Sequence, residues 1–307
     1  MAVKGAPVKY KGVFVVCKVA GGWSGFWNAW DWATIKRSID YAASQGFNSV
    51  MITASGIADS ATPYPSMALM QARITQLCQY CQGLGMVMIP QLGYQPQNNF
   101  GASGANVAAN TAVTVQIAAM FAAQPNVAMI DALNEVNLSW PSSWSGPSGQ
   151  SIADLTYYVG QIRLATGNIP LSLSVACGSV AEISGAWMQA VAPLVDVHNI
   201  HTYYYAEGVP TAAQTNALVA APWFRGAFVV GESGMPVGGA YSTAQQTAWL
   251  AGNAAMAARA ECLGTVLYCD TATSYNDFGL LDVTATTPRA QVVSGVSSWP
   301  ANLWPIG

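Results

Sequence analysis

Five glutamates are spread through the 307 residues, and two of them stand where a short apolar run ends. Glu135 closes the run Val127–Leu133 in DALNEVN, and Glu232 closes Ala227–Gly231 in FVVGESG. The other three, Glu182, Glu207 and Glu261, fall in helical or loop sequence. A carboxylate at the end of a packed strand is costly to desolvate unless something pairs or uses it. Asn134 directly precedes Glu135, His201-Thr202-Tyr203 follows another apolar run, and Gln91 and Tyr268 close two more. Two carboxyls facing each other across a pit can divide the work of cleaving a glycosidic bond. One gives a proton to the leaving oxygen and the other meets the anomeric carbon.

The elements that would position these groups alternate along the whole chain. Apolar, β-branched runs are read at Val13–Lys18, Asn48–Ala54, Met86–Gln91, Val127–Leu133, Leu171–Ala176, Val195–His201, Ala227–Gly231 and Gly264–Cys269. Helical stretches are read near Trp32–Gln45, Met67–Gly83, Asn106–Ala123, Ser151–Ala165, Val180–Val191, Thr211–Ala220, Thr243–Ala260 and Pro288–Ser297. In the second of these, Met70, Ile74, Leu77, Cys78 and Cys81 share one face. Strict alternation implies a parallel sheet with right-handed crossovers, and eight units of this size predict a single (β/α)₈ barrel over residues 1–307, with 1–11 as an N-terminal arm. An open doubly wound sheet is the alternative. It lacks support in KVAGGWSGFW after the first run, which is not a dinucleotide fingerprint. The long connections follow strands, so they gather at the C-terminal face, where barrel active sites form.

Composition narrows the function classes. Charged residues are 8% of the chain, against a usual ~25%, yet 52% is hydrophobic, so the chain is not disordered. A net charge of −3, with no clustered Lys and Arg, argues against nucleic acid. No run of ~18 apolar residues argues for a membrane span. The Cys78–Cys81 pair lies inside an apolar helix face and reads as buried free thiols. No cofactor or metal is expected, because no His-x-His or His/Asp cluster marks a strand end. The first twenty residues carry Lys4, Lys9, Lys11 and Lys18 and do not read as a secretory signal. The neutral surface nevertheless favours an extracellular or virion-associated setting.

On the residues quoted, the chain resembles the glycoside hydrolase clan A barrels, the 4/7 superfamily of cellulases, mannanases and β-galactosidases. The resemblance implies that Asn134-Glu135 ends the fourth strand and supplies the acid/base, and that Glu232 ends the seventh as nucleophile. It also implies that His201-x-Tyr203 ends the sixth strand and that Tyr268 takes the aromatic position of the eighth. The clan's arginine near strand two and histidine at strand three have no counterpart here. Strand two ends Thr53-Ala54-Ser55 and strand three ends in Gln91, with Asp31, Asp59 and Asp270 as nearby carboxylates. Two carboxylates so close cannot both ionise easily, so Glu135 is expected to carry the acid's proton while Tyr203 keeps Glu232 charged.

The implied activity is a retaining glycoside hydrolase acting on a β-linked polysaccharide or oligosaccharide. Sugar C–H faces stack on aromatic rings. Trp140 and Trp144, just beyond Glu135, are expected to bind substrate with Tyr268, Trp27, Gln91, Asn134, His201 and Tyr203. The competing reading is a non-catalytic glycan-binding or structural barrel, as in a phage virion.

Overall fold

The computed structural model describes residues 9–15, 22–57, 63–94, 96, 100, 106–138, 147, 149–177, 185–203, 212–235, 237, 241–269, 279–282 and 286–301. Its strands are β1 (Tyr10–Phe14), β2 (Ser49–Thr53), β3 (Val87–Gln91), β4 (Ile130–Asp131), β5 (Leu171–Ser172), β6 (Ser174–Ala176), β7 (His198–Tyr203), β8 (Phe228–Gly234) and β9 (Cys262–Tyr268). All pairings between these strands are parallel, in the order β5-β4-β3-β2-β1-β9-β8-β7-β6. β5 and β6 are the two halves of one run interrupted at Leu173. The first half pairs with β4 and the second with β7, so this run joins the sheet's two ends. The expected eight-stranded parallel barrel is therefore present, and its seventh strand is β8.

Helices α1 (Gly22–Ala29), α2 (Trp32–Ser44), α3 (Met67–Gly83), α4 (Val107–Ala122), α5 (Gly149–Thr166), α6 (Ala186–Val191), α7 (Ala212–Ala220), α8 (Thr243–Ala257) and α9 (Ala290–Val296), with a 3-10 turn at Ala192–Leu194, complete the described elements. Their packing faces follow helical spacing: α2 buries Ile35, Ser38, Ile39 and Ala42, and α3 buries the five residues expected of it. Side-chain caps fix their starts. Asp31 accepts from the Thr34 N–H of α2, Ser66 from Leu69 of α3, and Ser242 and Gln245 form a capping box on α8.

Strand alternation builds two apolar shells. Phe14, Met51, Ile89, Met129, Val197, Val229 and Val266 fill the barrel interior. Their neighbours Val13, Val50, Ile52, Met88, Ile130, Val230 and Leu267 face the helices. The interior is thus a packed plug, and polar groups at the strand ends rest on it.

Three local expectations need correction. The first strand begins at Tyr10, inside the supposed arm, because Lys9 and Lys11 are not solvated. The Lys9 ammonium donates to Cys262 O at 2.6 Å and to Arg259 O, and Lys11 Nζ reaches Gln45 O at 3.1 Å. Gln45 and Arg259 lie at helix C-termini, where a cation meets unsatisfied carbonyls. The Trp-rich segment after β1, read as loop, contains α1, held by buried Phe26 and Trp27. β7 starts at His198 and β8 continues to Gly234, further toward the C-terminal face than the apolar runs suggested.

Candidate active site

A bulge sets the direction of Glu232. Val229 points into the barrel and Val230 outward, so simple alternation would turn residue 232 toward the helices. The β7–β8 register instead steps from Ile200↔Val230 to His201↔Glu232, which leaves Gly231 as an extra residue. Glu232 then faces inward, and Ser233 faces the helices, where it accepts from Asn253 at 2.8 Å. Gly231 is required here: a Cβ on it would lie 2.2 Å from Asn199 Oδ1, the atom that accepts the Gly231 N–H.

Glu135 is placed by an unusual backbone. Its φ of +44° is in the left-handed region, which costs a non-glycine residue of order 1–3 kcal/mol and persists only where the surroundings impose it. Ser174 Oγ of the adjoining strand accepts the Glu135 N–H at 2.9 Å.

His201 joins the two carboxylates. Its Nδ1 lies 3.3 Å from Glu135 Oε1 and 3.5 Å from Glu232 Oε1, and one ligand atom from each of the three residues falls within 4.8 Å of the others. The Tyr203 hydroxyl donates to the other oxygen of Glu232. Burial alone would lower the His201 pKa, but Glu232, Glu135 and Asp131 outweigh it and push it up to about 9. The imidazole is therefore a cation at neutral pH. Burial and the Glu232 charge hold the Tyr203 phenol well above its ordinary value, so it remains a donor. Glu232 was expected to be plainly ionised. Burial instead raises it, and Glu135 and Asp131 add to that, while His201 and Tyr203 pull against them; the result is about 7.

The strand ends from β2 to β6 carry a polar belt. Thr53 Oγ1 donates to Gln91 Oε1 at 2.7 Å. Gln91 Nε2 donates to Asp131 Oδ2 at 3.1 Å and to Asn134 Oδ1 at 3.0 Å, and Ser172 Oγ donates to Asp131 Oδ1 at 2.9 Å. Asp131 is fully buried; burial raises its pKa, and the His201 charge and these donors oppose the rise. The sequence reading missed Asp131. Its signal was a lone acid inside an apolar run, which must be paired if it is buried.

Tyr268 stands beside the site, with its ring centroid 5.8 Å from that of Tyr203 and 5.4 Å from Phe14. Trp27 does not belong there. It is wholly buried, its Nε1 donates to Thr53 O at 2.7 Å, and it stacks on Trp30. Asp31 is a helix cap, not a site carboxylate. Trp140, Trp144, Asp59 and Asp270 lie outside the described residues. Glu135, His201 and Glu232 are the one trio of His, Cys, Asp or Glu among the described residues that could hold a metal ion, although no such cluster was expected. Cys78 and Cys81 are buried free thiols as expected, and burial raises both.

No family model matches the sequence, and no curated protein matches it by sequence. Solved structures match it across nearly the whole chain. An exo-β-1,4-mannosidase from Opitutaceae bacterium strain TAV5 superposes with a TM-score of 0.73 at 15% identity, over 97% of this chain and 62% of that one. The chain thus spans less than two thirds of that enzyme. A β-glucosidase gives 0.65 at 17% identity over 93% and 92% of the two chains. A family 5 xyloglucanase from Paenibacillus pabuli gives 0.62 at 15% identity over 85% and 89%. The fold is that of the glycosidase barrels the sequence resembles.

Proposed function

We propose that this chain is a retaining glycoside hydrolase that cleaves a β-linked bond in a polysaccharide or oligosaccharide. The observation that carries the reading is the spacing of the two carboxylates, whose oxygens come within 4.8 Å across His201. Retaining pairs stand about 5–5.5 Å apart, whereas inverting pairs leave about 6.5–9.5 Å for a water molecule. A gap of that order favours direct attack by a carboxylate over attack by a water held between the pair.

Glu232 attacks the anomeric carbon as the bond to the leaving oxygen breaks, and Glu135 gives that oxygen its proton. A covalent glycosyl ester of Glu232 results. Glu135, now a carboxylate, takes a proton from water as the water attacks the same carbon, and Glu232 leaves. The pair must enter the cycle with one proton between them, on Glu135. The His201 cation and the Tyr203 hydroxyl both favour the ionised form of Glu232, the state needed for attack. Asn134 hydrogen-bonds the sugar 2-hydroxyl, and Tyr268, with Trp140 and Trp144, offers rings to the sugar faces. The β-linked specificity rests on the likeness to a β-mannosidase and a β-glucosidase.

The test is a panel of aryl β-glycosides and β-linked polysaccharides, with wild type and Glu232→Gln side by side. Turnover by wild type that disappears in the variant is expected. Glycan binding without turnover by wild type on any substrate would refute the proposal and favour a non-catalytic barrel.

A further inference from the structure

We infer that Gln91 is a positioning residue that locks the Asn134 side chain in one sense, oxygen toward the barrel and NH₂ toward the substrate, with Asp131 setting the direction. The inference rests on the retaining reading for its kinetic consequence and on the polar belt for its geometry.

An amide can be turned through 180° with little change in shape, so the pattern of donors and acceptors decides its orientation. The belt has a fixed starting point. As a carboxylate, Asp131 only accepts, and it takes the Ser172 hydroxyl on one oxygen and the Gln91 amide on the other. That contact requires the NH₂ of Gln91 and turns its Oε1 toward Thr53, whose hydroxyl donates to it. The second proton of the Gln91 NH₂ then faces Asn134, where only an oxygen can accept it, at 3.0 Å. Ser174 Oγ, at 3.4 Å, stands on the same oxygen. The acceptor side of Asn134 is thereby occupied, and its NH₂ donates to none of the described residues. Gln91 is 1% and Asn134 6% exposed, so neither amide is reoriented by bulk water.

The consequence is selective. A donor held toward the 2-hydroxyl strengthens as charge develops at the anomeric carbon. A merely structural role for Gln91 would not distinguish a sugar with that hydroxyl from one without it. The test compares an aryl β-glycoside with its 2-deoxy analogue in wild type, Gln91→Met, Thr53→Val and Thr53→Ser. Gln91→Met should lower kcat/KM on the 2-hydroxy substrate about 10- to 100-fold, chiefly through kcat. On the 2-deoxy substrate the loss should be no more than about threefold. Thr53→Val should give a smaller loss of the same selectivity, and Thr53→Ser should restore it.

Equal losses on both substrates would overturn the inference. A second readout needs no turnover: the side-chain NH₂ resonances of Asn134 in protein labelled with ¹⁵N-asparagine, assigned through Asn134→Asp. They should shift in Gln91→Met and Thr53→Val and return in Thr53→Ser. An unmoved pair in folded Gln91→Met or Thr53→Val would overturn the inference whether or not any glycoside is cleaved. Shifted resonances with no hydrolysis of either glycoside would leave the positioning role standing and refute the retaining reading alone.

Discussion

Replacing Gly231 by alanine tests how the barrel turns Glu232 inward. The added Cβ would sit 2.2 Å from Asn199 Oδ1, about 1.2 Å short of the 3.4 Å at which ordinary contact begins, and 2.7 Å from Nδ2. Asn199 is fully buried and cannot swing into solvent. Either its side chain moves, and the Gly231 N–H loses its 3.0 Å acceptor, or the bulged strand moves and carries Glu232 with it. Overpacking costs about 1–3 kcal/mol, and a stranded buried donor costs about 1–3 kcal/mol. Gly231→Ala should therefore lose about 2–6 kcal/mol, a large share of the ~5–15 kcal/mol that holds a domain. The assay is a double-mutant cycle by denaturant titration with Asn199→Ala, which removes the obstructing atoms. In that background Gly231→Ala should cost under about 0.5 kcal/mol. Surviving folded Gly231→Ala should also lose about 100-fold in turnover, because a displacement of about 1 Å at a reacting group has that effect. Additive losses in the cycle, or a loss below about 1 kcal/mol in the single variant, would refute the bulge argument.

Tyr203→Phe removes a hydrogen bond that favours ionised Glu232, so the acid limb of the kcat/KM profile, near pH 7 in wild type, should move to higher pH; an unmoved limb contradicts this assignment. Stability carries the same signature. Glu232 rises from 4.5 to about 7 and His201 from 6.5 to about 9 on folding, so the native state binds the extra protons in both windows. The Glu232 contribution is complete below pH 4.5 and lost through about 7; the His201 contribution is complete below 6.5 and lost through about 9. Thermal melts of Glu232→Gln should therefore gain on wild type as pH rises from 5 to 8, and a constant difference would contradict the shift. Glu135→Ala should still accept glycosides with very good leaving groups, and azide should restore its turnover and yield a β-glycosyl azide, read by NMR; an α-azide would contradict retention.

The barrel was legible because short, mostly apolar strands alternate with longer helices that show one buried face. What failed did so for physical reasons. GWSGFWNA has no charge and two glycines, the composition of a loop, yet it is a helix that buries Phe26 and Trp27. Lys9 and Lys11 look solvated in sequence, but the helix C-termini that accept them are remote in the chain. For the site, the identities of Glu135, Glu232, His201 and Tyr203 could be read, but their geometry could not. Whether residue 232 faces in or out depends on a one-residue register step. That His201 bridges both carboxylates depends on the closure of the barrel. Asp131 escaped notice because a strand buried on both faces has no polar alternation to show which side an acid takes.

The most direct measurement of the central claim is covalent trapping. A 2-deoxy-2-fluoro β-glycoside with a good leaving group slows both steps, and it should load one glycosyl unit onto the folded protein. Peptide mapping by mass spectrometry should find that unit as an ester on Glu232, with none in Glu232→Gln. A label on Glu135, or no label together with an NMR time course showing product of inverted configuration, would contradict double displacement by this pair.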